Sequence, residues 1–120
     1  MVDPPGSKKL GERILVTGAL GQIGTELVEA LRAKYGPDAV VASDLREMPD
    51  HPVVRSGPFR HLSVIDADGF DSVVVEEGIA VVYHLAAIHF IPDCNSNPSK
   101  ALQVNVVGTE SVLNACNNNG

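Results

Sequence analysis

Short apolar runs alternate along this chain with longer stretches of helical periodicity. Residues 13–17 (RILVT), 39–43 (AVVAS), 59–64 (FRHLSV) and 80–84 (AVVYH) are runs of strand length; the first, second and fourth are rich in β-branched and aliphatic residues, as in strands covered on both faces. Between the first two, residues 22–35 set Ile23, Leu27, Ala30 and Leu31 on one face, with Glu26, Glu29 and Arg32 turned largely to water. That is an amphipathic helix, and Gly36-Pro37 stops it, because glycine suits the position just past a helix and proline blocks continuation. Asp66 is placed to cap a second helix, ending near Gly78, whose apolar face is Phe70, Val73 and Val74. Asn97-Pro98, a capping residue followed by a first-turn proline, opens a last helix that reaches about Cys116 and is lined by Leu102, Val106 and Leu113. Residues 45–58, with Pro49, Pro52 and Pro58, read as an irregular connection, and residues 86–97 as a loop.

Strands alternating with helices predict right-handed crossovers and an α/β fold: a parallel sheet in the order 3-2-1-4 with helices on both faces. This is part of a doubly wound sheet. The fourth strand, residues 80–84, is then an outer strand, apolar and without lysine or proline to block pairing. It is expected to associate with a second copy of the chain, as a homodimer or in aggregates. Tyr83, alternating with Val82 and His84, reads as a core residue.

At 120 residues, 44% hydrophobic and 20% charged, the chain has the composition of one globular domain. A net charge of −6 argues against nucleic acid or an anionic membrane as partner. Cys94 and Cys116 are too few for a disulfide scaffold and are expected as free thiols in a reducing compartment. Residues 1–12 read as a flexible leader without the apolar core of a secretory signal, so a cytoplasmic location is expected.

The chemistry is concentrated where the first strand meets its helix. Gly18, Gly21 and Gly24 recur at every third position directly after Ile14-Leu15-Val16-Thr17. In a strand-to-helix turn, the first glycine permits the turn, the second clears space for a pyrophosphate, and the third lets helix and strand pack closely. The following helix, opening at Gln22 and Ile23, offers unpaired N–H groups and a partial positive charge to the phosphates. Asp44 ends the second strand twenty residues after Gly24. A carboxylate there accepts from both adenosine ribose hydroxyls and repels a 2′-phosphate, which points to NAD rather than NADP. The competing readings are an ordinary glycine-rich turn, and for Asp44 a turn residue leading to Met48-Pro49. Arg46 either flanks the adenosine or is solvated.

Four segments in one order, residues 14–24 (ILVTGALGQIG), 43–46 (SDLR), 84–87 (HLAA) and 105–109 (NVVGT), resemble the extended short-chain dehydrogenase/reductase family, the NAD-dependent epimerase/dehydratase group. The resemblance covers about residues 13 to 116 and implies a Rossmann-type fold, with residues 13–120 as a truncated N-terminal dinucleotide-binding domain. Residues 18–24, 43–46 and 56–59 (SGPF) look most like the threonine-dehydrogenase branch of that family, while the spacing of Pro98 and Asn105 after His84 looks equally like the UDP-sugar 4-epimerases. The resemblance implies cofactor contacts by Gly18, Gly21, Gln22, Ile23, Gly24, Asp44, Leu45 and Arg46. It adds Leu85, Ala86 and Ala87 along the cofactor as the fourth strand ends, and Asn105 on the last helix. Where the family has an aspartate and an aliphatic residue after the third strand to meet adenine, this chain has Ser63-Val64, a shorter and uncharged pair. Asp66 reads as a helix cap.

The family's chemistry also needs a tyrosine with a lysine four residues on, the lysine lowering the phenol's pKa so that it takes the substrate proton as hydride leaves. The two tyrosines, Tyr35 and Tyr83, have Ala39 and Ala87 at that spacing. No catalytic residue is therefore expected within these 120 residues. The chain reads as the NAD-binding portion of an oxidoreductase that acts on a small-molecule secondary alcohol, with two alternatives: a nucleotide-sugar 4-epimerase or dehydratase, and a non-catalytic NAD-binding module. His84, His89 and Cys94 match no common local zinc spacing, and no metal is expected. His89 and Phe90 are expected near the nicotinamide or in a surface loop.

Overall fold

The computed structural model describes residues 13–86 and 96–118. Its strands are β1 (Arg13–Thr17), β2 (Val40–Asp44), β3 (Phe59–His61) and β4 (Ile79–His84). Its helices are α1 (Gln22–Tyr35), α2 (Pro52–Arg55), α3 (Ala67–Glu76), α4 (Pro98–Leu102) and α5 (Gly108–Asn118), with one wide π turn, Gln103–Val107, joining the last two. The strands form a parallel sheet in the order β3-β2-β1-β4, as the alternation of elements predicts. Register pairs Leu15 with Val41 on one side and with Val82 on the other.

Because side chains alternate across a strand, the sheet buries two separate clusters. Leu15 and Val41 meet Phe70, Val73 and Val74 of α3 and Val112 and Ala115 of α5 on one face. Val16, Val40 and Ala42 meet Val28 of α1 and Val53 of α2 on the other. Both expected caps form: Asp66 accepts from the Gly69 N–H at 3.0 Å, and Asn97 from the Lys100 N–H at 3.1 Å. No helix among the described residues is long and apolar enough to cross a membrane.

Several elements differ from the sequence-based expectation. Ala39 belongs to a 3₁₀ turn, Pro37–Ala39, and β2 starts one residue later. β3 stops at His61 because residues 63–66 close a turn, the Asp66 N–H bonding to the Ser63 carbonyl at 3.1 Å. The connection 45–58 carries the short helix α2, which begins at Pro52 and is capped by the His51 ring accepting from the Val53 N–H. The buried stripe of α1 is Gly24, Val28 and Arg32, flanked by Leu27, Leu31 and Tyr35, while Ile23 is 72% exposed and Ala30 is exposed. Close packing of Gly24 on the glycine turn sets this rotation of the helix. On the last helical stretch, Val106 and Leu113 are exposed; Val112 and Ala115 make the contact with α3. Tyr83 is not core: it is 41% exposed, with Val81 beside it at 48%. Both lie on the α1 face of β4, whereas α1 packs mainly over β1 and β2.

Arg32 is the largest departure, since its side chain is buried rather than in water. Its guanidinium donates to the carbonyls of Val40, Val53 (2.6 Å) and Pro58 (2.6 Å) and to the Ser56 hydroxyl at 3.0 Å. One planar fork thus ties β2 to the connection 45–58, a use of several fixed donors that lysine cannot reproduce. Burial pulls its pKa below the ordinary arginine value, against the opposing field of Asp38.

Candidate dinucleotide site

The strand order reverses between β1 and β4, and the C-terminal strand ends at such a point are where doubly wound sheets bind ligands. Gly18 turns the chain at the end of β1 with φ +65°, where a β-carbon would also meet the Leu85 and Ala86 backbone at 2.8 Å. A β-carbon at Gly24 would run into the Gly18 carbonyl, which is why the helix can sit directly on the turn. Gly21 differs: a β-carbon there would meet the Gly18 oxygen at 3.3 Å and, beyond it, only the Arg46 guanidinium at 3.9 Å. Helix α1 starts at Gln22 with Gly21 as its N-cap and no side-chain cap, so the first-turn N–H groups of Gln22 and Ile23 are not satisfied by a local side chain. The open position at Gly21 and the uncapped helix start fit a pyrophosphate.

Asp44 is buried at the end of β2 and is bonded directly to the glycine turn. Its Oδ2 accepts from the Leu20 N–H at 3.0 Å and its Oδ1 from the Arg46 N–H at 2.9 Å, while the Arg46 side chain adds two longer bonds at 3.2 Å. Burial alone would raise the carboxyl's pKa; the Arg46 side chain and the backbone N–H groups of Arg46 and Leu20 outweigh it and hold the pKa below the usual carboxylate value. A depressed carboxyl pKa contributes stability that is present above the unfolded value and lost as pH falls through the folded one. Unfolding free energy measured by denaturant titration should therefore fall below about pH 4, and Asp44→Asn should flatten that part of the profile. An unchanged acid limb in the variant would mean that Asp44 gains nothing from these bonds.

Leu45 and Arg46 follow Asp44, both half-exposed. Ser63 and Val64 lie just past β3, on the same edge; the Ser63 hydroxyl accepts from the Ile65 N–H at 3.4 Å and the Val64 side chain is in the core. Leu85 and Ala86 leave β4 against Gly18. Asn105 sits in the π turn, and its carbonyl accepts from the Thr109 hydroxyl at 2.7 Å. Ala87, His89, Phe90 and Cys94, like the leader 1–12, lie outside the described residues.

Sequence reasoning missed three side chains here. Thr17 Oγ1 accepts from the Leu85 and Ala86 N–H groups at 2.9 and 3.1 Å, and His84 lies between Thr17 (2.8 Å) and Thr109 (3.1 Å). Each lies in a segment that carries the family resemblance, and Thr17 and His84 are polar residues ending apolar strands, but neither signal says that the three meet.

Fold and site together define a dinucleotide-binding α/β domain. Residues 14–120 match the NAD dependent epimerase/dehydratase family, and the chain belongs to that family. It is 39% identical over 101 residues to the human protein called inactive L-threonine 3-dehydrogenase, mitochondrial, covering 84% of this chain and 43% of that one. A solved L-threonine dehydrogenase from Clostridium difficile superposes with a TM-score of 0.81 at 36% identity, over 89% of this chain and 33% of that chain. The UDP-glucose 4-epimerase of Brucella ovis, solved in complex with NAD, gives 0.75 at 28% identity, over 88% and 32%. The chain thus spans less than half the length of these relatives.

Proposed function

We propose that residues 13–120 are the N-terminal NAD-binding domain of an oxidoreductase of the threonine-dehydrogenase type. The observation that supports this reading most is the direct bond from the glycine turn to the Asp44 carboxylate, which sets the turn and the carboxylate side by side. Gly21 and the N–H groups of Gln22 and Ile23 would hold the pyrophosphate. Asp44 would take the ribose hydroxyls in place of the two Arg46 side-chain bonds, and Arg46, with a side chain 54% exposed, has room to turn aside. Ser63 and Val64 would border the adenine, and Leu85, Ala86, Ala87 and Asn105 the far end of the cofactor. NAD, when bound, supplies the hydride acceptor. The higher identity to a threonine dehydrogenase than to a 4-epimerase supports the first enzyme type over the second. The cytoplasm is the proposed setting, on the strength of the sparse cysteines.

Titration calorimetry with NAD tests the reading. Binding should be weak, because the groups that hold the nicotinamide end are few, and Asp44→Ala should lose about 1–3 kcal/mol of it, roughly fivefold to 150-fold. Equal affinity in the variant would reduce Asp44 to a turn residue, and no binding of NAD at all would remove the proposal.

The family's removal of a proton from a secondary alcohol uses a tyrosine with a lysine four residues on, a pair that these 120 residues do not contain. Tyr35 ends α1 with the Lys34 ammonium 5.1 Å above its ring, and Tyr83 stands on the outer strand. The chain alone should give no turnover.

The exposed Val81 and Tyr83 support a second element of the proposal: association of two copies through β4. Sedimentation should show association that grows with concentration and is reduced by Val81→Lys. Val82 is unsuitable for this test because it packs against the core. A monodisperse monomer at high concentration would rule the association out.

A further inference from the structure

We propose that His84, held as the neutral Nε2–H tautomer, is a positioning residue that locks three parts of the dinucleotide site into one register: the end of β1, the exit of β4 at Leu85-Ala86, and the π turn carrying Asn105. This rests on the NAD-binding reading for what those parts do, but not for the geometry.

The tautomer follows from counting protons. Thr109 Oγ1 is 2.7 Å from the Asn105 carbonyl, which only accepts, so the single hydroxyl proton of Thr109 goes there. Facing His84 Nε2 at 3.1 Å, the same oxygen can then only accept, and Nε2 carries the hydrogen. A neutral imidazole has one N–H, so Nδ1 presents a lone pair, which accepts the Thr17 hydroxyl proton at 2.8 Å. The two lone pairs of Thr17 Oγ1 are filled by the Leu85 and Ala86 N–H groups. Every donor in this set has an acceptor, and the chain of bonds closes only with an uncharged ring.

Protonation breaks this balance. An Nδ1–H would point at a hydroxyl oxygen whose lone pairs are both in use, so one backbone amide must be displaced. Leu85 N–H keeps a second contact with the Thr17 carbonyl at 3.3 Å, which leaves Ala86 N–H as the group without a partner. That amide lies against Gly18, at the turn that would meet the pyrophosphate. β1 presents the Thr17 hydroxyl to the ring and α5 the Thr109 hydroxyl; Glu110, the neighbouring acid on α5, is exposed. Burial alone pushes the imidazole pKa below its ordinary 6.5, with no charged group among the described residues contributing.

A residue that only filled space here would be replaceable by phenylalanine. The test is nitrogen NMR of the labelled chain together with calorimetric NAD titrations from about pH 5 to pH 8. At neutral pH, His84 should show the Nε2–H tautomer, and the Ala86 amide signal should shift with its protonation below pH 6.5. NAD affinity should be flat at higher pH and fall about fivefold to tenfold as the ring charges, the cost of one lost hydrogen bond. His84→Phe should bind weakly at every pH without that step. His84→Asn, whose amide oxygen can still accept from Thr17 and never charges, should restore affinity and also lack the step. An Nδ1–H tautomer, an imidazolium at neutral pH, or wild-type affinity in His84→Phe would overturn the proposal. Absence of NAD binding by the wild type would defeat the functional reading instead, and the tautomer and the Ala86 shift would still decide the role of His84. Those two signals also decide it if His84→Phe does not fold.

Discussion

Gly24→Ala should lower NAD affinity about a hundredfold and destabilise the domain by about 1–3 kcal/mol, the range for forcing extra volume into a packed site. The added β-carbon would run into the Gly18 carbonyl and lie 2.8 Å from the Ala19 Cα. All of these atoms are backbone of the turn itself, so no flexible side chain can yield. Helix α1 must lift away, taking the Gln22 and Ile23 N–H groups out of line with the phosphates. Calorimetry with NAD and thermal unfolding read the two losses separately. Affinity and melting temperature both matching the wild type would mean that the helix can shift without cost, and that the third glycine is not a packing requirement.

Arg32→Leu should cost about 3–4 kcal/mol of stability, because removing a charged donor from several buried acceptors leaves their desolvation uncompensated. Val53 and Pro58 lose their shortest described bonds, and the connection 45–58 loses its tie to β2. Asp44 sits at the end of that strand, so NAD affinity should fall as well. Denaturant unfolding measures the first effect. Arg32→Lys should recover only part of it, since one ammonium on a flexible stem cannot span these groups. Wild-type stability in Arg32→Leu would show that the connection is held by its apolar contacts at Val53 alone.

Neither Arg32 nor the rotation of α1 is legible from periodicity. An arginine in the fourth turn of an amphipathic helix reads as solvated because it is charged and falls with Glu26 and Glu29 outside the apolar stripe, yet its partners are carbonyls up to 26 residues away. Tyr83 errs in the opposite direction: alternation along β4 marks it as apolar enough to bury, but burial needs a covering element, and α1 covers β1 and β2 instead. The last helix shows the same limit. Its helical nature and its Asn97 cap are local, whereas the choice of Val112 and Ala115 over Val106 and Leu113 as its buried residues is made by contact with α3. The glycine turn and Asp44 were readable because their spacing is itself a geometric demand, a tight turn followed one strand later by an acid.

By itself, then, the order of residues determined the strands, most helix boundaries, the parallel order 3-2-1-4, the caps at Asp66 and Asn97, and the candidate cradle from Gly18 to Gly24 with Asp44. Each of these depends on backbone conformations and hydrogen bonds within a few residues, on the handedness of a crossover, or, for Asp44, on its fixed spacing one strand after the turn. The tertiary structure alone decided which helix faces are buried, where the Arg32 guanidinium goes, and that Thr17, His84 and Thr109 form one chain of hydrogen bonds. Those partners are 67 and 25 residues apart in sequence, so no local preference brings them together. They meet because parallel pairing of β4 beside β1 sets both strand ends at one edge of the sheet, and the packing of α5 against α3 delivers the second hydroxyl to the same point.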